Sequence, residues 1–303
     1  MSTAPGPALP AQAASGILLI LLANLGFAGM DAVSKTLTMD YSVAQILWVR
    51  FGFFAAFATV LAWRSGRKAG DGGGLLNRFR TTRPLFQIAR ALLLVAEIGC
   101  FILAFRYMQL AETHAIGAVF PLVITALSAL WLGERVGLRR WTAVAIGFLG
   151  MLVILRPGLA VFDVVALLPF AGAVMFAVYQ VMTKVLSRTN SSETILLYTG
   201  WVGFAAMSLF GPFDWQWPDA RGWGLLVLAG LLGAIGHATV IKALEVTPAS
   251  VLQPFNYTLL VWATGIGFVV FGDLPDLWTV AGATIIVSSG LYVWWRERVR
   301  AGR

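Results

Sequence analysis

The sequence predicts an all-α polytopic membrane protein with ten transmembrane helices, arranged as two inverted five-helix repeats around a central cavity. Hydrophobic residues make up 59% of the 303 positions and charged residues only 12%, about half the charged share of a soluble domain. Apolar stretches of bilayer-spanning length recur along the chain. Basic residues concentrate in every second connection between these stretches, and two turns of similar sequence carry opposite charge.

The apolar stretches are each close to the roughly 20 residues that cross a bilayer core as a helix. They use about two thirds of the chain and leave no room for a soluble domain. The proline-rich start, residues 1–14, lacks the basic residues of a signal peptide and is predicted to be a disordered tail. The predicted spans are 15–36, 43–63, 84–106, 113–132, 140–156, 164–185, 194–211, 222–243, 249–271 and 277–295.

The basic residues predict the orientation of these spans. When connections are assigned alternately to two sides, one side receives 16 of the 22 lysine and arginine residues and the other receives four. Basic residues mark the cytoplasmic side, so both termini, including the basic tail 296–303, are predicted to be cytoplasmic in a bacterial inner membrane. The net charge of +8 therefore follows from topology, and no nucleic-acid partner is predicted.

Two similar turns follow the fourth and the ninth span. The first, "LGERVGLRRW" at 132–141, holds three arginines, whereas the second, "FGDLPDLW" at 271–278, holds two aspartates and no basic residue. Five spans per half is an odd number, so the second half must enter the membrane upside down. The two turns then lie on opposite faces, and the positive-inside rule gives them opposite charge.

A second internal match supports the repeat. "GFAGMDAVSKTL" in span 1 aligns with "VMFAVYQVMTKVL" in span 6, which places Phe27 on Phe176 and Lys35 on Lys184. We therefore assign the first repeat to 15–156 and the second to 164–295. Inverted repeats are an architecture of secondary transporters, which hold their substrate near the bilayer midplane between the halves.

Enzyme chemistry has little support in the sequence. There is no G-x-x-x-x-G-K-[S/T] phosphate loop and no G-x-S-x-G nucleophile motif. Two histidines and the single Cys100 do not supply a metal cluster, so no metal and no cofactor are predicted. The predicted partners are a small-molecule substrate and membrane lipid; the sequence leaves the oligomeric state open.

The stretches 90–158 and 243–298 resemble the two repeats of EamA-type proteins in the drug/metabolite transporter superfamily. The resemblance rests on Leu-Gly-Glu before a basic turn, then Trp141, Gly147, Gly150 and "LRPG". Asp273 departs from the pattern, since Glu is commoner there. The resemblance implies a basket of ten helices and export of small metabolites, with the aromatic amino acid exporters of the YddG type as the expected subgroup.

Polar residues within spans are the candidate substrate site, because a charge in the membrane is costly unless it is paired or faces water. Glu97, midway along span 3, is expected to bind a substrate ammonium or carry a proton. Asp31 and Lys35 lie one helical turn apart, so they are expected to pair or to bind the two charges of a zwitterion. Arg50 and Arg90 are interpreted as structural.

Other candidates follow from the repeat and from helix breaks. Gln180 aligns with Asp31, Tyr179 stands beside it, and Asn24 lies two turns from Asp31 on the same face. Pro254 interrupts span 9, and Gln253, Asn256 and Tyr257 surround that break. His237 in span 8 lies among small residues, while Phe27, Phe176 and the mid-span Trp262 offer an apolar wall.

These features predict an exporter of small amphipathic metabolites, foremost aromatic or hydrophobic amino acids, that works by alternating access. The alternatives are a carrier for nucleotide-like or cationic drug-like compounds, which a strongly basic or a singly acidic cavity would favour respectively. A lipid scramblase or a non-transporting scaffold is a further alternative, favoured by a lipid-facing polar groove. Proton coupling and facilitated diffusion both remain open, as does the exact substrate.

Overall fold

A computed structural model describes residues 10–68, 75–131, 137–156, 164–187, 189–247 and 252–301. Within these ranges the chain is helical apart from short turns, and it contains no strand. The basic turn after the fourth span lies largely outside the described residues, as does the start of the predicted N-terminal tail. The predicted all-α class is confirmed.

Six α-helices form the first half. The structure extends the first helix back to residue 10, so part of the stretch predicted to be a disordered tail is helical. The helices are α1 (Pro10–Leu37), α2 (Val43–Lys68), α3 (Pro84–Phe105), α4 (Leu110–Gly117), α5 (Phe120–Trp131) and α6 (Leu138–Leu155), with a 3₁₀ turn at Leu75–Phe79.

Five α-helices and two 3₁₀ turns form the second half. The last helix carries most of the predicted basic tail. The helices are α7 (Leu167–Leu186), α8 (Ser192–Met207), α9 (Ala220–Val246), α10 (Thr258–Phe271) and α11 (Leu277–Ala301), with 3₁₀ turns at Val164–Ala166 and Gln253–Tyr257.

Eight described segments are long and apolar enough to cross a membrane, judged by length and composition. A ninth helical stretch, Trp141–Leu155, is apolar but shorter. The predicted span 194–211 forms the 16-residue helix α8, which is shorter than the roughly 20 residues that span a bilayer. The predicted total of ten spans is therefore not established, although a helix occupies each predicted stretch.

The fourth span of each half is interrupted at a proline. In the first half the break between α4 and α5 lies at Ala118–Val119, just before Pro121. In the second half Pro254 lies in the 3₁₀ turn that precedes α10. Proline cannot donate to the preceding turn and clashes with it, so both breaks follow from the sequence. They place irregular backbone at matching points of the two halves, next to the cavity described below.

The helix contacts repeat when the two halves are exchanged. In this exchange α1, α2, α3, the α4–α5 pair and α6 take the places of α7, α8, α9, α10 and α11. The α1–α9 contact becomes α7–α3, the α1–α10 contact becomes α7–α5, and the α3–α8 contact becomes α9–α2. The α2–α8, α6–α11 and α4–α10 contacts map onto themselves. A two-fold repeat predicts this pattern.

Contacts between connections join segments that the span count assigns to one side. Gln45 and Gln216, both assigned to the outer side, exchange two hydrogen bonds of 2.7 and 3.0 Å. On the predicted cytoplasmic side Ser65 Oγ donates to Glu193 Oε1 at 3.0 Å. These contacts are compatible with ten crossings in alternating directions.

Close backbone approach joins the fifth helices of the two halves, α6 and α11. A Cβ atom on Gly150 would lie 2.8 Å from the carbonyl oxygen of Gly282 and 2.9 Å from Ile285. Small residues let membrane helices approach closely, and at this position even a Cβ atom would collide with the facing helix. The glycine of the family pattern at position 150 therefore has a packing role at the edge of the helix bundle, away from the cavity.

Candidate functional site

A cavity of about 220 Å³ lies between the two halves. The first half contributes residues from α1 to α5, and the second half contributes residues from α7, α9, α10 and the 3₁₀ turn before α10. Inverted-repeat transporters also hold their substrates between their halves, so this cavity is the candidate site.

One face of α3 lines this cavity. Leu94, Glu97, Phe101 and Phe105 are spaced three or four residues apart, so they share a helical face. The Phe101 ring packs against Gly172 of α7, where an added Cβ would lie 2.7 Å from the ring. The aromatic wall therefore depends on a small residue in the opposite half.

Aromatic rings also line the contact between α1 and α9. The Phe27 ring lies against Gly236, which has no side chain to obstruct it. His237 makes edge contacts with Phe27 and Phe54, with ring centroids 5.2 and 5.1 Å apart. His237 Nδ1 is 2.8 Å from the carbonyl oxygen of Gly233, so a backbone contact fixes the orientation of this ring.

Four ionisable side chains converge at the cavity. Asp31 and Glu97 bring two carboxylates, and Arg50 lies close enough to interact electrostatically with both. His114 Nε2 lies 3.1 Å from Asp31 Oδ2. The cluster combines acidic and basic groups inside an apolar wall, so it offers a solute charges of both signs.

The structure places seven of the predicted site residues at the cavity. They come from both repeats and include the break before α10, which supports the sequence argument, although substrate contact by each remains a prediction. The seven are Phe27, Asp31, Glu97, Phe176, His237, Asn256 and Tyr257.

Lys35 does not pair with Asp31, and this expectation was wrong. Lys35 Nζ instead donates to Asp273 Oδ2 at 2.8 Å and to the Met108 carbonyl oxygen at 2.9 Å. It also lies 4.9 Å from the centre of the Phe271 ring. The buried ammonium group thus finds long-range partners that satisfy it better than a neighbour on its own helix.

Four further predicted residues lie outside the cavity lining. Asn24 Nδ2 donates to the Phe255 carbonyl oxygen at 2.9 Å and to Thr258 Oγ1 at 3.0 Å, which holds the backbone break before α10. Trp262 is 37% exposed, on the surface of α10 that faces away from the rest of the protein. Tyr179 and Gln180 are half-buried on α7. The side chain of Gln253 lies outside the described part of the structure.

Tyr179 contacts Arg90, whose guanidinium group is fully buried and lies 5.0 Å from the tyrosine ring centre. Arg90 also donates to the Ile195 carbonyl oxygen at 2.9 Å and to Thr199 Oγ1 at 2.7 Å. The Tyr179 contact joins α3 to α7, and the two hydrogen bonds join α3 to α8. The interpretation of Arg90 as structural therefore agrees with its contacts.

Sequence reasoning undervalued Arg50 and His114. From the sequence, Arg50 is interpreted as structural and His114 is not among the candidate site residues, yet both line the cavity. Both residues could have been found by the argument used for Glu97: a charged or polar side chain within a membrane span is costly unless it is paired or faces a cavity. Among the described residues no group of three or more potential metal ligands occurs.

An ion pair also links the end of α6 to the turn before α11. Arg156 forms an ion pair with Asp276, and Asp276 Oδ1 accepts a hydrogen bond from the Thr279 backbone at 2.8 Å. Partial burial works to raise the pKa of the Asp276 carboxyl, but the bonds from Thr279 and the charge of Arg156 outweigh it and lower that pKa. This contact is more exposed than the Lys35 contact.

The sequence profile of the EamA-like transporter family matches residues 14–156 and 164–295. The chain belongs to this family. The match covers both halves that surround the cavity, and it confirms the resemblance to EamA-type proteins. It also makes small-molecule transport the established class of activity.

Curated relatives extend over nearly the whole chain. A riboflavin transporter of Vibrio cholerae is 30% identical over 301 residues, which cover 95% of this chain and 96% of the relative. The pseudopaline exporter CntI of Pseudomonas aeruginosa is 26% identical, with coverage of 90% and 93%. An S-adenosylmethionine uptake transporter of Rickettsia felis is 24% identical, with coverage of 95% for both.

A crystal structure of another protein superposes with a TM-score of 0.59 at 20% sequence identity, covering 91% of this chain and 95% of that one. This similarity shows the fold alone. None of the three relatives above is named as an aromatic amino acid exporter, so that subgroup remains a prediction.

Proposed function

We propose that the chain is a secondary carrier that moves small amphipathic molecules with a planar aromatic part through the central cavity. The observation that carries this proposal is the combination of aromatic walls with Asp31, Arg50 and Glu97 in one cavity. Aromatic faces bind flat rings by stacking and edge contacts, and the charged cluster binds the polar end.

Riboflavin is the first solute to test. Two relatives, from Vibrio cholerae and Rhizobium johnstonii, are named riboflavin transporters and are 30% and 28% identical to this chain. Riboflavin carries a flat ring system and a polar chain, which suits a cavity that has rings on its walls and ionisable groups in one cluster.

Aromatic amino acids are the second candidate. The cavity volume of about 220 Å³ lies below the roughly 300–1,000 Å³ of most ligand pockets, which favours a solute of amino-acid size. Asp31 and Glu97 suit an ammonium group, and Arg50 suits a carboxylate. The surplus of acids disfavours nucleotide phosphates and keeps cationic compounds open.

The arrangement of the cavity favours a carrier over a scramblase, because its polar groups lie between the two halves rather than along a lipid-facing groove. We assign the halves to 15–156 and 164–295, with opposite orientation. Both termini lie on the cytoplasmic side of the bacterial inner membrane in this proposal. The exchange of equivalent helix contacts then opens the cavity to each side in turn.

The test is flux into proteoliposomes. Purified protein should exchange labelled riboflavin or tryptophan, whereas the absence of flux for these, phenylalanine and S-adenosylmethionine would reject the proposal. The panel also separates the candidates, because exchange of tryptophan without riboflavin would favour amino-acid transport.

Truncation of the Phe176 ring should weaken transport. The ring contacts Phe120 edge to face, with centroids 5.2 Å apart, and faces the cavity. Loss of a ring contact with an aromatic solute costs about 0.5–1.5 kcal/mol, so Phe176→Ala should raise KM roughly 2- to 13-fold. The matched control is Trp262→Ala, which removes an aromatic ring from the exposed surface of α10, outside the cavity, and should leave KM unchanged. Equal effects of the two variants would contradict the placement of the site.

A further inference from the structure

Asp31 and His114 form a buried contact inside the cavity. His114 is only 8% exposed, and its Nε2 atom lies 3.1 Å from Asp31 Oδ2. Nε2 nevertheless has no hydrogen bond of good geometry among the described residues. Two ionisable atoms at this separation can share one proton, and the pair has a direct face on the solute cavity.

The position of the pair links the cavity to the outer side. Asp31 lies one helical turn from Lys35, which binds Asp273 and the carbonyl of Met108 just before α4. His114 itself lies on α4. Helix α1 and the segment that contains Met108 and α4 are therefore joined twice. One contact is Asp31–His114 in the cavity, and the other is made by Lys35 one helical turn away.

Other charged and titratable groups face the pair from each side. Arg50 of α2 and Glu97 of α3 line the cavity, as do His237 of α9 and Tyr257 before α10. His237 differs from His114, because its Nδ1 contacts a backbone carbonyl rather than a carboxylate. Among the described residues His114 is thus the histidine with an acidic partner.

We infer that Asp31 and His114 are the proton-binding site of a proton–solute antiporter. The inference rests on the proposed function. In the empty carrier the pair holds one proton, on Nε2 of His114 or on Oδ2 of Asp31. A hydrogen-bond donor or cationic group of the solute binds Asp31, and His114 releases that proton to the side from which the solute entered. When the solute leaves, the pair takes up one proton from the opposite side.

In this scheme the Asp31 carboxylate binds either the proton or the solute, but never both at once. One proton therefore crosses the membrane for each solute that crosses in the other direction. A pH difference of about one unit should then support up to about a tenfold solute gradient in a one-to-one exchange.

The experiment uses the full chain in proteoliposomes with the membrane potential clamped at zero. Exchange of labelled riboflavin or tryptophan without a pH difference first tests transport itself. A lumen more acidic by about one pH unit should then make wild-type vesicles accumulate solute toward tenfold. His114→Gln vesicles should equilibrate the solute without accumulation. Glu112→Gln, a change two residues away on α4 and outside the cavity lining, should accumulate it as the wild type does.

A second measurement does not depend on the variant. Solute added to weakly buffered wild-type protein in detergent should release about one proton for each solute bound. Binding without proton release would overturn the inference. So would accumulation by His114→Gln equal to that of the wild type, or exchange without accumulation by the wild type. Loss of accumulation in Glu97→Gln alone would move the proton site to Glu97 and also overturn it. Absence of any exchange would contradict the proposed function instead.

Discussion

Replacement of Arg50 by glutamine should reduce solute flux more than 100-fold. Arg50 is the cation that faces both Asp31 and Glu97 in the cavity. Its loss leaves two carboxylates in a site of low dielectric, and removal of one partner from a buried charge cluster costs about 3–5 kcal/mol. Flux into proteoliposomes and the midpoint of thermal unfolding in detergent measure this effect.

The double variant Arg50→Gln with Glu97→Gln separates charge from shape. It removes one acid together with the cation, so it should recover much of the lost thermal stability while flux stays low. Arg106→Gln, at an exposed position after α3, is the matched control and should behave as the wild type. Flux within twofold of the wild type in Arg50→Gln would refute the role of this cluster.

Replacement of Asp273 by lysine should block transport and lower stability, because it sets a second cation against Lys35. Lys35 is 7% exposed and bonds both Asp273 and the Met108 carbonyl. The charge swap Lys35→Glu with Asp273→Lys restores the attraction but loses the bond to Met108. It should therefore recover only part of the stability, with a coupling energy of about 1–3 kcal/mol in the thermal unfolding cycle.

Asp276→Asn supplies the control for this prediction. The Arg156–Asp276 ion pair involves the same turn before α11, but the Asp276 side chain is 48% exposed. Exposed ion pairs contribute about 0–1 kcal/mol, and asparagine can still cap α11. A larger effect in Asp276→Asn than in Asp273→Lys would contradict the view that the buried Lys35 contact stabilises the fold more than the exposed Arg156 contact does.

The helix positions were predictable from the sequence because an apolar stretch long enough to cross a bilayer can be located by its length and composition alone. Each predicted stretch contains a described helix, and Pro121 and Pro254 mark where the fourth helix of each half breaks. The short helix α8 shows the limit of this reasoning, since apolar composition around Gly200 and Gly203 made the stretch 194–211 look longer than its helix.

Helix rotation was less predictable than helix position. Trp262 lies in a helix that is apolar on every side, so no periodic pattern showed which face meets lipid. Val261 and Val269 of the same helix are 66% and 81% exposed, which shows that this surface of α10 faces away from the protein. The orientation of Glu97 was easier to predict, because a carboxylate in the middle of a membrane span is stable in few places other than a cavity.

Charge partners were the least predictable feature. The helix rule that joins residues i and i+4 suggested Asp31 with Lys35, yet each found a partner far along the chain in His114 and Asp273. Such partners are set by tertiary packing, which a single sequence does not display. The internal repeat pointed to Phe176, which lines the cavity, and to Gln180, which does not.

The opposite orientation of the two halves is tested most directly by single cysteines at Leu138 and Leu274 in a Cys100→Ser background. Both positions are exposed, at 80% and 59%; Leu138 begins α6, and Leu274 lies in the turn just before α11. An impermeant maleimide added to intact cells with a permeabilised outer membrane should label position 274, and it should label position 138 only after the inner membrane is broken. Labelling of both positions from the same side would contradict the inverted halves and the shared cavity between them.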